Sequence, residues 1–216
     1  MTDWLVAVTT IVFVITFLTG HVDSAAQIGG FVPLRADDPD LFRQLGGPAN
    51  TIPFWLTPIV TTLIHGSWLH IGFNMLMLMF CGRHVEHALG PWLMLSIYCI
   101  GAYAAAAAEW FLDPMAANPM IGASGAISAL LGTYALLYSQ QKVRAVGPVS
   151  ANVVRILWLA AGWIAIQLML SVATSGSDGE FGHIAIAAHI GGFVAGLITT
   201  RPAIFLRFRQ RPARAK

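Results

Sequence analysis

The chain has 216 residues, of which 56% are hydrophobic and only 10% charged, with a formal net charge of +2. That balance excludes an ordinary soluble globular domain and implies a polytopic membrane protein. The two cysteines, Cys81 and Cys99, fall in apolar stretches, so they suit packing rather than a disulfide framework.

A helix needs about 20 predominantly apolar residues to cross a bilayer. Segments of that kind are expected near residues 4 to 20, 68 to 87, 92 to 112, 122 to 139, 152 to 173 and 184 to 206. The fold class that follows is an all-α membrane protein, a bundle of six transmembrane helices forming one polytopic domain over residues 1–216. The first segment carries Asp3 in place of a basic leader and has no clear small-residue cleavage site, so it reads as a retained helix. A long outer loop, residues 21 to 67, joins helices 1 and 2; its prolines, glycines and aromatic residues suit a partly folded cap at the headgroup level. Within it "PDLFRQL" has the pattern of one short interfacial helix, and residues 171 to 183, "SVATSGSDGEFGH", read as a second connector at the same end. No inverted internal repeat of the transporter kind is present.

Charge sets the expected orientation. Arg83, Lys142, Arg144, Arg155 and the tail at 207–216, "RFRQRPARAK", fall in connections that share one side. Asp23, Asp37, Asp38, Asp40, Asp113, Asp178 and Glu180 fall on the other, with Arg35 and Arg43 the basic exceptions. Both termini are therefore expected in the cytoplasm, the tail meeting lipid headgroups rather than nucleic acid.

Three polar features stand at membrane depth, where a charge at a helix centre costs about 2.5–3.5 kcal/mol and a functional reading is the default. In "HGSWLHIGFNMLMLMFCG", residues 65 to 82, His70 and Asn74 are four apart and share a helix face, which also suits a plain interhelical hydrogen bond. Ser124, in "GASGAISALLG", begins the fourth segment, where backbone N–H groups lack intrahelical partners and small neighbours keep the surroundings open. A lone serine in a membrane helix ordinarily packs or bonds its own backbone. The soluble-hydrolase elbow G-x-S-x-G is not met, since Ala126 replaces its second glycine and no strand precedes it. In "AAHIGGFVAGL", residues 187 to 197, His189 precedes Gly192 and Gly196, a spacing that admits another helix at short range. If that partner is the small-residue fourth helix, His189 comes within reach of Ser124 and supplies the base a serine hydroxyl needs.

Taken together, "HGSWLHIGFN", "GRHVEHALG", "GASGA" and "AHIGGFVAG" resemble the rhomboid family of intramembrane serine proteases. The resemblance implies a six-helix rhomboid-like bundle in which Ser124 is the nucleophile and His189 the general base. His70 and Asn74, with backbone N–H at the serine, match the residues that bind the oxyanion. Glu86 and Gly90 match a structural motif at the cytoplasmic end of the second helix. The implied activity is cleavage of transmembrane segments of single-pass, membrane-anchored proteins near the outer face, with membrane lipids as the other partner and no cofactor or metal. The implied location is a multi-pass protein of the bacterial plasma (inner) membrane.

Two departures from the family pattern are visible. Ser128 stands where some relatives carry an aromatic residue that supports the histidine ring, and the Trp-Arg pair often found in the first outer loop is replaced by "FVPLR" and "DLFRQ". Two other classes compete. A metal enzyme or transporter would draw on His65, His70, His84, His87, His183 or His189, but no H-E-x-x-H occurs. A rhomboid-like binder without chemistry would need neither Ser124 nor His189.

Overall fold

The computed structural model describes residues 1–138, 144–174 and 186–209, without the side chains of 166–174. Lys142, His183, most of the 171–183 connector and the tail after Arg209 lie outside the described residues. Within the described residues, each of the six expected apolar segments is helical over most of its length. The chain enters through α1 (Thr2–Leu18) and continues through α2 (Val22–Gly29), α3 (Leu34–Asp37), α4 (Pro39–Gln44) and α5 (Thr57–Val60). It then forms α6 (Trp68–Met77), a π-helical turn at Leu78–Gly82, α7 (Arg83–Leu89), α8 (Pro91–Leu112), α9 (Ser124–Leu137), α10 (Ala151–Thr174) and α11 (Ile186–Arg209). Among the described residues, β-type pairing is confined to two isolated bridges, Phe31 with Met120 and Val146 with Val149.

By length and apolar character, two of the described helices can cross a membrane, α8 and α11. Phe54–Leu63 and Trp68–Leu89, bent by 92° where they meet, pass the same test as a pair and make a third if they form one broken span rather than a re-entrant loop. Thr2–Leu18, Ser124–Leu137 and Ala151–Ala165 are apolar but shorter. Large apolar side chains point outward all round the bundle, among them Trp4, Leu18, Trp92, Phe111, Trp158 and Ile198. Such a surface needs lipid rather than water as its solvent.

The bundle is organised around α9. Ten of its fourteen residues are buried, so partners enclose it on every side rather than along one stripe. Its neighbours α8 and α11 approach through small residues. A Cβ on Gly192 would collide with the Gly125 carbonyl, one on Gly196 with the Ala129 carbonyl, and one on Gly125 would lie 2.5 Å from the Ala105 Cβ. Backbone-to-backbone contact of this kind replaces the hydrophobic drive that lipid does not provide. At the α7–α8 corner, Gly90 has φ +93° and is followed by Pro91 at the first helical position, so the chain reverses with a glycine-only angle and a preset proline.

Residues 21–67 hold more structure than the sequence suggests. The expected short helix is α4, started by Asp38, whose carboxylate accepts from the Leu41 N–H at 2.8 Å, with Pro39 at its first position. Val32, Leu34 and Phe42 form a separate apolar cluster with Leu41 and Ala117. Phe31 and Met120 exchange backbone hydrogen bonds of 3.1 and 2.8 Å, and Trp110 donates its indole N–H to Asp37. The segment is thereby tied to the ends of α8 and α9.

Arg155 needs a correction. Expected in a connection, it lies in the second turn of α10, buried, with its guanidinium on the Ala135 carbonyl. A long apolar stem lets arginine cross a greasy interface and place its head on a spare carbonyl. The tail likewise begins later than expected, since Arg207 and Arg209 are the last turn of α11.

Candidate active site

Ser124 is fixed by the turn that leads into α9. Before it, Gly122 adopts φ +109°, a left-handed angle that favours glycine, and donates its N–H to the Thr61 carbonyl at 3.0 Å. The Thr61 hydroxyl bonds the Met120 carbonyl, so the turn into α9 is clamped by a segment sixty residues earlier. Directly before the serine, Ala123 caps α9, its carbonyl accepting from the Ile127 N–H at 2.9 Å. The N–H groups of Ser124 and Gly125 consequently belong to the first turn, which has no intrahelical acceptors and carries the positive end of the helix dipole. The serine itself is half-buried.

His189 occupies the first turn of α11 and is 6% exposed. Its Nε2 lies 2.7 Å from the Ser124 Oγ across 65 residues of sequence. The glycines that follow it set this distance. Gly192 lies on Gly125 and Gly196 on Ala129, so α11 rides against α9 with no side chain between them and the imidazole one turn above reaches the hydroxyl.

His70 and Asn74 come from α6, whose first turn is capped by Ser67, its hydroxyl accepting from the His70 N–H at 3.2 Å. The His70 ring borders the serine turn closely; a Cβ on Gly122 would stand 2.6 Å from its Nε2. Asn74 is 2% exposed, donates to the His70 carbonyl at 2.8 Å, and among the described residues its Oδ1 has no hydrogen-bond partner. Ser124, His189 and His70 thus sit in the first turns of three helices and Asn74 one turn further into α6, with Ser124 and His189 in contact and His70 against the turn that carries the serine.

The remaining histidines divide. His65 packs edge-on to His70 with ring centroids 4.8 Å apart. His84 packs on Tyr134 of α9 and on Tyr138 at its C-terminal cap, ten and fourteen residues past Ser124, about 15 Å or more along the helix. Those two ends cannot share one metal ion.

Two residues near the pair were missed in the sequence. Trp163 of α10 is buried, donates its indole N–H to the Ser128 Oγ at 2.7 Å, and meets the His189 ring at 6.3 Å between centroids and 76° between planes. Its signal was a tryptophan near the middle of an apolar span, where a buried indole N–H must find a partner. Thr61 left no comparable signal. Arg35, one of the two basic positions flagged in the first connection, bonds the Thr51 hydroxyl at 2.8 Å and the Ile52 carbonyl at 2.7 Å and lies over the rings of Phe42 and Phe54. Burial lowers its pKa somewhat, leaving it a cation at neutral pH. Arg43 pairs with Asp40 in the open.

A helical bundle with a lipid-type exterior, holding a serine hydroxyl against an imidazole at the ends of two tightly packed helices, has the build of an integral membrane protein. The chain belongs to the rhomboid family: the family's "Rhomboid domain" model matches residues 54–204. It is also 27% identical over 139 residues to Rhomboid protein 1, mitochondrial, of Saccharomyces cerevisiae. That alignment covers 62% of this chain and 38% of the relative, so the chain spans well under two thirds of the relative's length. The family is in general one of intramembrane serine proteases. The relative is mitochondrial by name and so lends no support to a bacterial inner membrane in particular.

Proposed function

We propose that the chain is an intramembrane serine endopeptidase in which Ser124 and His189 form the catalytic dyad. The observation that carries this reading is the 2.7 Å contact between the Ser124 Oγ and the His189 Nε2. In the neutral ring with its proton on Nδ1, Nε2 accepts the serine proton as Oγ attacks the scissile carbonyl carbon. The carbonyl oxygen becomes an oxyanion, met by the backbone N–H of Ser124, the His70 ring and the Asn74 amide. Collapse expels the new amine, which takes its proton from His189. Water then attacks the acyl-enzyme by the same path in reverse, freeing Ser124.

The substrate is a single-pass helix arriving from the lipid. A helix shields its own carbonyls, so its end must unwind before Ser124 can reach one, and substrates with glycine, proline or other weak helix formers there are favoured. The serine end of the bundle faces outward, and the end bearing Arg83, Arg207 and Arg209 faces the cytoplasm or its equivalent, with both termini on that side. Membrane lipids are the other partner of the basic end.

The test is incubation of purified wild type, Ser124→Ala and His189→Ala with a membrane-anchored model substrate, followed by mass determination of the products. Chelator-insensitive cleavage by wild type alone is expected. Binding of the substrate without cleavage by a well-folded wild type would instead make the chain a non-catalytic helix binder. Asn74→Ala is expected to lower kcat roughly a hundred- to a thousandfold, the cost of about 2.7–4 kcal/mol seen when one oxyanion donor is removed. An unchanged kcat would take Asn74 out of the oxyanion site.

A further inference from the structure

We propose that Trp163 is the positioning residue for His189 and that the Ser128 hydroxyl locks it in place. This rests on the Ser124–His189 dyad and says how the base is aimed.

The need for such a residue follows from the packing. His189 is flanked on α11 by small residues, Ala188, Gly191 and Gly192, of which Gly192 meets Gly125 and Ser128 of α9. Those residues let the two helices touch, but none has the bulk to wall the imidazole. A histidine with rotamer freedom spends only part of its time with Nε2 on the serine, and misplacement of about 1 Å is enough to cost roughly a hundredfold in rate. Ser128, one turn beyond Ser124 on the same face, gives the ring no wall of its own.

A third helix walls the ring on one side. Trp163 meets His189 edge to face at 6.3 Å and 76°, and its other contacts leave it little choice of position. Its indole N–H donates to the Ser128 Oγ at 2.7 Å, and the Ser128 hydroxyl in turn donates to the Ser124 carbonyl at 2.8 Å. Phe73, next to Asn74 on α6, stacks on the indole at 5.9 Å and 26°. One side chain therefore touches α6, α9 and α11, the three helices that bring His70, Asn74, Ser124 and His189. A tryptophan that merely satisfied its N–H would need only the bond to Ser128. The contact with the imidazole, and the relay from indole to hydroxyl to the nucleophile's own carbonyl, set its position by reference to Ser124.

The experiment compares the full chain in detergent or bilayers with Ser128→Ala, Trp163→Phe, their double variant, and Trp163→Leu. Trp158→Leu, an exposed tryptophan on the same helix, serves as control. For each, the rate of covalent labelling of Ser124 by a fluorophosphonate, kcat and KM on a membrane-anchored substrate, and the thermal unfolding midpoint are measured. Trp163→Leu is expected to lower labelling and kcat by about tenfold to a hundredfold, with KM within about twofold. Trp163→Phe loses the indole bond, and Ser128→Ala loses that bond and the one to the Ser124 carbonyl; each is expected to fall about three- to tenfold, the double variant falling no further than Ser128→Ala because it removes no further hydrogen bond. Trp158→Leu is expected to behave as wild type. Should Trp163→Leu fail to fold, Ser128→Ala removes a single oxygen from an intact helix and keeps the measurement decisive.

Wild-type labelling and kcat in Ser128→Ala and Trp163→Phe, or a loss confined to the thermal midpoint or to KM, would overturn the positioning role while leaving the dyad standing. A well-folded wild type that fails to label at Ser124 would overturn the dyad, and this proposal with it.

Discussion

The two interfaces of α9 are built by different rules. Against α11 the contact is backbone on backbone, with Gly192 on Gly125 and Gly196 on Ala129, and Thr133 donating to the Gly196 carbonyl at 3.3 Å. Against α10 it is made by long side chains, Arg155 reaching the Ala135 carbonyl and Trp163 reaching Ser128. The first interface has no adjustable parts, so the separation of Ser124 and His189 is set by helix geometry. The second places rotatable side chains between the helices and tolerates a range of distances. A hydroxyl and an imidazole that must stay within hydrogen-bond reach lie on the rigid interface, and the group that braces them arrives across the adjustable one.

The hardest break of that comparison is at the chemistry across the first interface. Ser124→Ala and His189→Ala are each expected to abolish cleavage, by about 10⁴-fold or more, while the bundle stays inserted and helical by circular dichroism. Next comes prying the same interface apart. Gly192→Leu puts a side chain where the Gly125 carbonyl stands, so a loss at or above the upper end of about 1–3 kcal/mol is expected in thermal unfolding, with activity falling alongside. A stable and active Gly192→Leu would mean that the first interface is as adjustable as the second.

Loosening the second interface should matter less. Arg155→Leu keeps the bulk but deletes the bond to Ala135, and a loss of roughly 1–2 kcal/mol is expected with KM and kcat near wild type. A collapse of kcat would show that α10 is held as strictly as α11. The smallest effect belongs to a contact outside both interfaces. Asp37→Ala removes the exposed bond from Trp110, and a change within about 0.5 kcal/mol and unaltered cleavage are expected.

The rigid interface was the more legible in the sequence. Gly192 and Gly196 lie four apart behind His189, and Gly122, Ala123, Gly125 and Ala126 surround Ser124. Small residues at helical spacing announce close approach, and a polar group beside them announces purpose. His70 and Asn74 were legible because i and i+4 share a face. The adjustable interface was not. Arg155 counted as a basic residue in a connection because charge is usually left in water, and only the fold shows a carbonyl waiting for it. Trp163 looked like one of several span tryptophans, and nothing local told it apart from the exposed Trp158. Thr61, which clamps the serine turn from sixty residues away, is invisible for the same reason. Long-range partners of polar side chains depend on topology, whereas helix period and residue size are local. The residues of 21–67 fall between these cases: Asp38 and Pro39 signalled α4, while the cluster of Val32, Leu34 and Phe42 needed the neighbouring Ala117 to complete it.

The central claim is that His189 makes Ser124 a nucleophile. The most direct measurement is treatment of the purified full-length chain and of His189→Ala with a fluorophosphonate, with the adduct located by peptide mass spectrometry. The account predicts a single adduct on Ser124 in wild type and its loss in His189→Ala. An adduct on another serine, or equal labelling of Ser124 in both, would contradict it.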